Sequence, residues 1–177
     1  SDSFGEQNLR SFLNLLVVLT QDYDVALMNP PYGSGGRMPG DVSAYVEDKY
    51  EYMAEYYINF FEVCDNLVRT NGRIGMLVPR SFMFLKSFED FREDFISGKG
   101  SFDFLAEYGI DILDNATVRT AGTVVRSGVI NDQQGTFIRL EDVEKGEKES
   151  AFLRASFTPQ SDDGVQRRYR RDLNEFD

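Results

Sequence analysis

The 177-residue sequence contains no histidine and a single cysteine, Cys64. The absence of histidine removes the most common general base and metal ligand, so catalysis has to use amide, carbonyl, carboxylate or aromatic groups. One cysteine cannot form an internal disulfide, and its place in a helical pattern predicts a buried core thiol. No apolar run approaches the roughly 18 residues of a membrane span, and the first residues do not resemble a signal peptide. We therefore expect a cytoplasmic protein without a membrane segment.

Basic residues are also few, since 19 Lys and Arg stand against 30 Asp and Glu, a formal net charge of −11. Taken alone, this charge argues against a nucleic-acid partner, because such proteins usually present a basic surface. High negative charge also keeps proteins soluble in concentrated salt, as in halophiles. The acidic residues are spread along the chain, which favours a salt-adapted surface, whereas a DNA mimic or an acidic interaction tail would need clustered charge.

Short apolar runs alternate with helical patterns, which predicts an α/β fold with a parallel or mixed sheet and flanking helices. Helices are predicted around residues 9–17, as one long helix over about 46–68, and after Ser87 as its capping residue. Strands are predicted at residues 25–28, 74–78, 102–108, 120–126 and 136–140, the first two as buried strands and the last two as a possible hairpin. Residues 144–149 form a charge run that predicts a solvated turn. Residues 1–158 are assigned to one domain, and residues 159–177 to a polar tail or linker that we expect to be loosely ordered.

The strand predicted at residues 25–28 ends in the most informative motif, Asn29-Pro30-Pro31-Tyr32. Two prolines cannot continue a central strand, so the chain leaves the sheet at the edge where open α/β sheets bind ligands. A simple turn is the alternative interpretation, since Asn before Pro often begins one. The strand before the motif and the glycine-rich residues after it favour a functional loop.

This motif has the groups that methyl transfer to an exocyclic amine requires. The lone pair of such an amine is delocalised into the base, so the nitrogen is a poor nucleophile. The Asn29 side-chain carbonyl and the Pro30 backbone carbonyl could accept both N–H hydrogens and stabilise the positive charge that develops on attack. The prolines hold these acceptors still, and Tyr32 offers a ring for stacking on an extruded base.

The motif resembles that of class I amino-methyltransferases acting on adenine N6, a motif that glutamine-N5 protein methyltransferases share. The segment at residues 71–92 resembles the one that follows the catalytic loop in large adenine-specific DNA methyltransferases, and it reads NGRIGMLVPRSFMFLKSFEDFR. The PglX-type enzymes of BREX phage-defence systems are the most similar, and the methylase half of fused restriction–modification enzymes comes next. The segment at residues 116–126 resembles the strand pair that follows, and the resemblance extends from about Val25 to Leu140.

The resemblance implies part of a Rossmann-like class I fold, S-adenosylmethionine as the methyl donor, and double-stranded DNA with a flipped adenine as the substrate. It implies catalytic roles for Asn29, Pro30 and Tyr32, which would hold and stack the adenine. Asn29 would also contact the cofactor, and Pro31 would shape the substrate loop.

Other candidate substrate contacts come from the segments around the motif. Arg37, in the glycine-rich loop, is a candidate phosphate contact. Phe82 follows a predicted strand and is a candidate for the adenine pocket, with core packing as the alternative. Leu113 lies where the family often has a second aromatic clamp, so either Leu113 or another residue has to close the pocket. The basic cluster at residues 167–171 suits phosphate contact and stacking, but a solvated linker is the simpler interpretation.

The family's cofactor-binding unit, a glycine-rich turn after one strand and an acidic residue after the next, does not precede residue 25. The glycines at 33–36 follow the motif and predict a mobile loop over the active site instead. We therefore expect residues 1–158 to be the C-terminal portion of a methyltransferase catalytic domain. A missing N-terminal cofactor-binding half and a target-recognition domain would complete it, and the fragment alone would be inactive. The alternatives are a glutamine-N5 protein methyltransferase and a non-catalytic split half that assembles with a partner.

Overall fold

The computed structural model describes residues 2–33, 38–52, 55–110, 112–113, 117–128, 134–157 and 167–172. Within these ranges the α-helices are Asp2–Thr20 (α1), Gly40–Lys49 (α2), Tyr56–Leu67 (α3) and Lys148–Phe157 (α4). The strands are Tyr23–Met28 (β1), Val68–Pro79 (β2), Gly100–Gly109 (β3), Thr120–Ser127 (β4), Gln134–Arg139 (β5) and Arg167–Asp172 (β6). Short 3₁₀ turns span Arg80–Met83, Lys86–Phe88 and Lys145–Glu147, and a π-helix spans Phe91–Lys99.

The strands form one mixed sheet in the order β1-β2-β4-β3-β5-β6. β1 is parallel to β2, and β3 is parallel to β5. β4 lies antiparallel between β2 and β3, and β6 runs antiparallel to β5 at the edge. β1, β2, β3 and β5 therefore all point the same way, and their carboxyl ends meet at one edge of the sheet. We call this edge the carboxyl edge.

Each face of the sheet contributes to its own hydrophobic core. α3 and the π-helix cover one face, where aromatic rings such as Phe61, Phe91 and Phe95 are buried. α4 packs on the other face, mainly against Ala106 of β3 and Ile138 of β5. Burial of each large side chain contributes roughly 1.5–3 kcal/mol relative to exposure. Only the β3–β5 side of that second face is covered by α4.

A bulge in β3 allows this strand to serve both cores. The register against β4 shifts between Phe102 and Phe104, so Asp103 is the extra residue. Strand side chains otherwise alternate between faces, and the shift sends Phe102 to the first core and Phe104 to the second. The Asp103 carboxylate is bound by Arg126 of β4 and by Arg73 of β2.

The long helix predicted over about residues 46–68 is wrong, because the chain breaks between α2 and α3. Tyr50 ends α2 in an extended conformation. The Glu62 carboxylate of α3 then accepts the backbone N–H groups of Glu51 at 2.8 Å and Tyr52 at 3.3 Å. The Asn59 side-chain amide of α3 also donates to the Tyr52 carbonyl. Side chains of the second helix thus satisfy the backbone that the break exposes.

The helix predicted after Ser87 forms as a π-helix, and Ser87 does not cap it. Ser87 lies inside the preceding 3₁₀ turn, and the residue before the π-helix is Asp90, which makes no capping hydrogen bond. The charge run at residues 144–149 is likewise more than a solvated turn. Lys148, the first residue of α4, is buried, and its ammonium group donates to the carbonyls of Tyr108 and Leu140.

The hairpin considered for the last two predicted strands is also wrong, since β4 and β5 lie on opposite sides of β3. The tail expected to be loosely ordered contains β6, whose backbone pairs with β5. The sequence of β6, Arg-Arg-Tyr-Arg-Arg-Asp, is polar, so it carries no apolar signal for a strand.

Apolar side chains remain exposed at the β1 end of the molecule. β1 is an edge strand rather than a buried one, and Leu27 is 80% exposed. The apolar residues of α1 are exposed as well: Leu9, Phe12, Leu13, Leu15, Leu16, Val17, Val18 and Leu19. The predicted first helix and first strand are both present, but α1 extends beyond residues 9–17 at both ends and β1 begins two residues earlier than predicted. The predicted burial of β1 is wrong.

Across the described ranges, no helix combines the length and apolar character that crossing a membrane would require.

Candidate active site at the carboxyl edge

The predicted motif begins where β1 ends, at the carboxyl edge. Met28, the last residue of β1, pairs with Met76 of β2, so Asn29 lies level with Leu77, two residues before the end of β2. Pro30 is buried, whereas Asn29 and Pro31 are exposed to solvent. The strand and the buried proline thus fix the backbone and present the Asn29 amide outward.

The Tyr32 hydroxyl lies between two carbonyl acceptors. It is 3.3 Å from the Asn29 side-chain oxygen and 3.1 Å from the Leu77 backbone oxygen of β2. The second contact attaches the loop to the neighbouring strand. Because the hydroxyl has one proton, it can donate to Leu77 when the Asn29 oxygen accepts a hydrogen bond from a ligand.

Tyr32 packs against Tyr57, which in turn contacts Ser81. Its ring meets Tyr57 of α3 edge to face, with ring centroids 6.5 Å apart. The Tyr57 hydroxyl is 3.2 Å from the Ser81 hydroxyl, which follows β2. Burial raises the pKa of both Tyr57 and Tyr32, and Tyr57 is the more deeply buried of the two. Both phenols therefore stay neutral at physiological pH. The helical spacing of Tyr57 indicates only a core position, so the sequence carries no signal for this contact with Tyr32.

The loop after the motif is anchored to α3. The Gly33 carbonyl accepts the backbone N–H of Tyr56 at 3.1 Å, and a Cβ at Gly33 would lie 3.0 Å from the Tyr56 ring. A glycine at this position therefore allows the loop to pass close to the helix.

The remaining predicted site residues have different positions. Phe82 is 1% exposed and packs against Phe91 and Phe102, which favours its core-packing alternative. Leu113 is half-buried and lies in the segment that connects β3 to β4. Arg37 and residues 34–36 lie outside the described residues.

A network of three arginines and two glutamates joins the strand ends at the same edge. Arg80, directly after β2, binds Glu107 of β3 and is 2.7 Å from Glu141. Arg139 of β5 contacts both carboxylates, at 3.3 and 3.0 Å, and Arg119 binds Glu141. The Arg80 backbone N–H also donates to the Arg119 carbonyl at 2.9 Å. The signal for this network in the sequence is Glu107, because a carboxylate within an apolar strand needs cationic partners.

A shallow apolar cavity of about 490 Å³ reaches Asn29 from the sheet face that α4 leaves uncovered. Its floor includes two glycines, and a Cβ at Gly122 would lie 2.8 Å from the Tyr108 ring. The described side chains that line the cavity carry no charge: Leu27, Met28, Asn29, Met76, Leu77, Phe104, Tyr108, Thr123 and Val124. Among these, Asn29 is the side chain best placed to contact a polar cofactor, and the lining offers no carboxylate for a ribose. These residues therefore fit one edge of a cofactor site and not a whole one.

The arrangement suits chemistry on an uncharged, planar amine. It offers the exposed amide carbonyl of Asn29, the rigid backbone of Pro30 and the ring of Tyr32. None of these groups needs to gain or lose a proton at physiological pH.

Solved structures with a similar fold include methyltransferases. A methyltransferase subunit of a type I restriction-modification system from Streptococcus thermophilus matches 88% of this chain, which covers 35% of that one, with a TM-score of 0.64 and 14% identity. A protein described as a class I S-adenosylmethionine-dependent methyltransferase, from Listeria monocytogenes, matches 76% of this chain, which covers 42% of that one, with a TM-score of 0.57 and 16% identity. The fold is therefore part of the class I methyltransferase fold, as the sequence predicts.

The sequence comparisons define the family more closely. The model of the Eco57I restriction-modification methylase family matches residues 3–117, and the chain belongs to this family. A relative named adenine-specific methyltransferase PglX, from Lacticaseibacillus casei (strain Zhang), is 28% identical over 163 residues. That match covers 90% of this chain and 14% of the relative. The resemblance to adenine-specific methyltransferases is thus confirmed, over a small part of the relative's length.

Proposed function

We propose that the protein containing this chain transfers a methyl group from S-adenosylmethionine to the N6 amine of an adenine flipped out of DNA. The exposed Asn29 amide, with the Tyr32 ring fixed beside it at the carboxyl edge, is the observation that carries this proposal. Membership of a restriction-modification methylase family and a relative named as adenine-specific support the substrate class.

The Asn29 and Pro30 carbonyls each accept one N–H of the adenine amine. This grip holds the nitrogen toward tetrahedral geometry, so that its lone pair points out of the base plane. When bound, S-adenosylmethionine would supply an electrophilic methyl group. The N–C bond to N6 would form as the S–C bond to that methyl breaks, with S-adenosylhomocysteine as the leaving group. The positive charge that develops on N6 is stabilised by the two carbonyl dipoles, and the surplus N–H proton leaves to solvent afterwards.

The Tyr32 ring stacks on the extruded adenine, and Pro31 shapes the loop that receives it. When Asn29 accepts the adenine N–H, the Tyr32 hydroxyl turns fully to the Leu77 carbonyl. The edge-to-face contact with Tyr57 keeps the ring in the stacking position. In this proposal Leu113 and Arg37 are contacts to the base and to a phosphate, whereas Phe82 supports the site from the core.

The proposal is tested in the full-length protein with labelled S-adenosylmethionine and mixed-sequence duplex DNA, by mass spectrometry of the nucleosides. We expect N6-methyladenine in the parent and a loss of about 100-fold or more in Asn29→Ala, the usual size for removal of one such acceptor or donor. Asn66→Ala, an exposed asparagine of α3, is the matched control and should be as active as the parent. Methylation of a glutamine-containing peptide in place of DNA would contradict the proposal and favour the glutamine-N5 alternative.

We further propose that an N-terminal cofactor-binding half and a target-recognition domain complete the active enzyme, in a phage-defence or restriction–modification setting. The exposed apolar residues of α1 and β1 support a covering partner at this end of the sheet. The uncharged lining of the cavity beside Asn29 supports a cofactor site completed by other residues. Calorimetric titration of the isolated chain with S-adenosylmethionine should detect no binding, and clear micromolar binding would contradict this proposal.

A further inference from the structure

Phe84, in the segment that follows β2, is 58% exposed. Its phenyl ring nevertheless has a fixed place, because the Arg80 guanidinium lies over it at 5.4 Å from the ring centroid. Arg80 is in turn held by Glu107 and Glu141. The ring is therefore backed by a cation on one side, while more than half of it is open to solvent.

The backbone around Phe84 is also restrained. The N–H groups of Phe84 and Leu85 lie 3.3 and 3.0 Å from the Ser81 carbonyl. The Arg92 guanidinium of the π-helix donates at 2.8 Å to the carbonyls of both Phe82 and Leu85. A ring presented on such a segment loses little conformational entropy when a ligand stacks on it.

This segment is connected to the proposed active site. The Ser81 hydroxyl, three residues before Phe84, lies 3.2 Å from the Tyr57 hydroxyl, and the Tyr57 ring supports Tyr32. Phe84 thus belongs to the same edge of the molecule as Asn29, although no described contact of the motif depends on it.

The charge around Phe84 favours a phosphate-bearing ligand. The adjoining network contains three guanidinium groups and two carboxylates, a formal excess of one positive charge in a chain of net charge −11. Arg119 and Arg139 are each about half exposed. The open Phe84 ring is thus linked, through Arg80 and the two glutamates, to half-exposed guanidinium groups. An open aromatic ring together with cations is the combination that binds unpaired nucleotides, because the base stacks and the phosphate is neutralised.

Resting on the proposed function, we infer that Phe84 stacks on an unpaired nucleobase of the substrate DNA at the carboxyl edge. Arg80 positions the ring, and Arg119 or Arg139 neutralises the adjoining phosphate. The ligand class is single-stranded or locally unpaired DNA, and the stacking is indifferent to base identity since every base has a π-face.

The test measures binding of the full-length protein to a fluorescently labelled single-stranded oligonucleotide of mixed sequence, at low salt. Phe84→Leu should weaken binding about 10-fold, as expected for the loss of one base–aromatic stack, and Phe84→Tyr should restore it. Phe157→Leu is the matched control, because Phe157 is an 84% exposed phenylalanine on α4, and it should bind as the parent does. With 2-aminopurine in the oligonucleotide, quenching on binding should be smaller for Phe84→Leu than for Phe84→Tyr.

Unchanged binding of Phe84→Leu, an equal loss in Phe157→Leu, or failure of Phe84→Tyr to restore binding would each overturn the inference. These outcomes are separate from a failure of the proposed function. If Asn29→Ala abolishes adenine methylation while Phe84→Leu binds normally, the inference alone fails. If no adenine is methylated but Phe84→Leu weakens oligonucleotide binding, the stacking role stands and the methyl-transfer proposal fails.

Discussion

Replacement of Arg80 by methionine should lower the free energy of unfolding by about 2–3 kcal/mol. The Glu107 and Glu141 side chains are only 10% and 14% exposed, so they depend on their cationic partners. Loss of one partner from a buried ion pair usually costs about 3–5 kcal/mol. We expect a cost at or below the low end of this range. Arg139 still contacts both carboxylates in the variant, and Arg119 still binds Glu141. Methionine retains most of the arginine stem, so little of the loss comes from packing.

The measurement is urea unfolding followed by circular dichroism, compared between variants at constant m-value. The control is Arg69→Met, since Arg69 forms an ion pair with Asp24 in which the side chains are 66% and 74% exposed. Such surface pairs contribute roughly 0–1 kcal/mol, so this variant should be close to the parent. If Arg80→Met lowers the free energy of unfolding by no more than Arg69→Met does, the network does not hold the strand ends together.

Two further predictions concern the layer of helices over the first core. Burial raises the pKa of the Cys64 thiol to about 11, so native protein at pH 8 should react with iodoacetamide at least 10-fold more slowly than urea-unfolded protein. Because burial disfavours the thiolate in the folded state alone, the free energy of unfolding should not depend on this thiol below about pH 9 and should fall as the pH rises from there to about 11. Glu62→Ala should destabilise the chain by about 1–2 kcal/mol, because two backbone N–H groups at the α2–α3 break lose their acceptor. Glu47→Ala, at an exposed helix position, should change stability by less than about 0.5 kcal/mol in the same unfolding assay, and equal effects would contradict the role of Glu62.

Local signals in the sequence were sufficient for the motif and for the strands around it. β1 could be predicted because an apolar run ends abruptly at Pro30 and Pro31, and β2 because its apolar run ends at Pro79. The catalytic interpretation of Asn29 comes from residue chemistry and from the family resemblance, and it stays a prediction that the methylation assay tests.

Other features could not be predicted, because they depend on contacts between distant residues. The break between α2 and α3 is stabilised by the Glu62 carboxylate, which lies ten residues after Tyr52, the residue whose N–H it accepts. The position of β4 between β2 and β3 is a choice among pairings that local patterns do not distinguish. The exposure of Leu27 depends on what adjoins β1, and an apolar run by itself does not reveal which strand lies at an edge.

The insertion of β4 between two earlier strands has a consequence for synthesis on the ribosome. β2 and β3 both pair with residues 120–127, so each has an unpaired edge until that segment emerges. Antiparallel β4 must then enter a gap of one strand's width, about 10 Å between β2 and β3, to close the sheet. A nascent chain that pauses before Thr120 would expose the β4-facing edge of β2 and both edges of β3, because β5 also follows later. Unpaired edges of this kind pair with other chains. Slow translation upstream of this strand should therefore favour aggregation, and prompt completion of β4 should protect the fold.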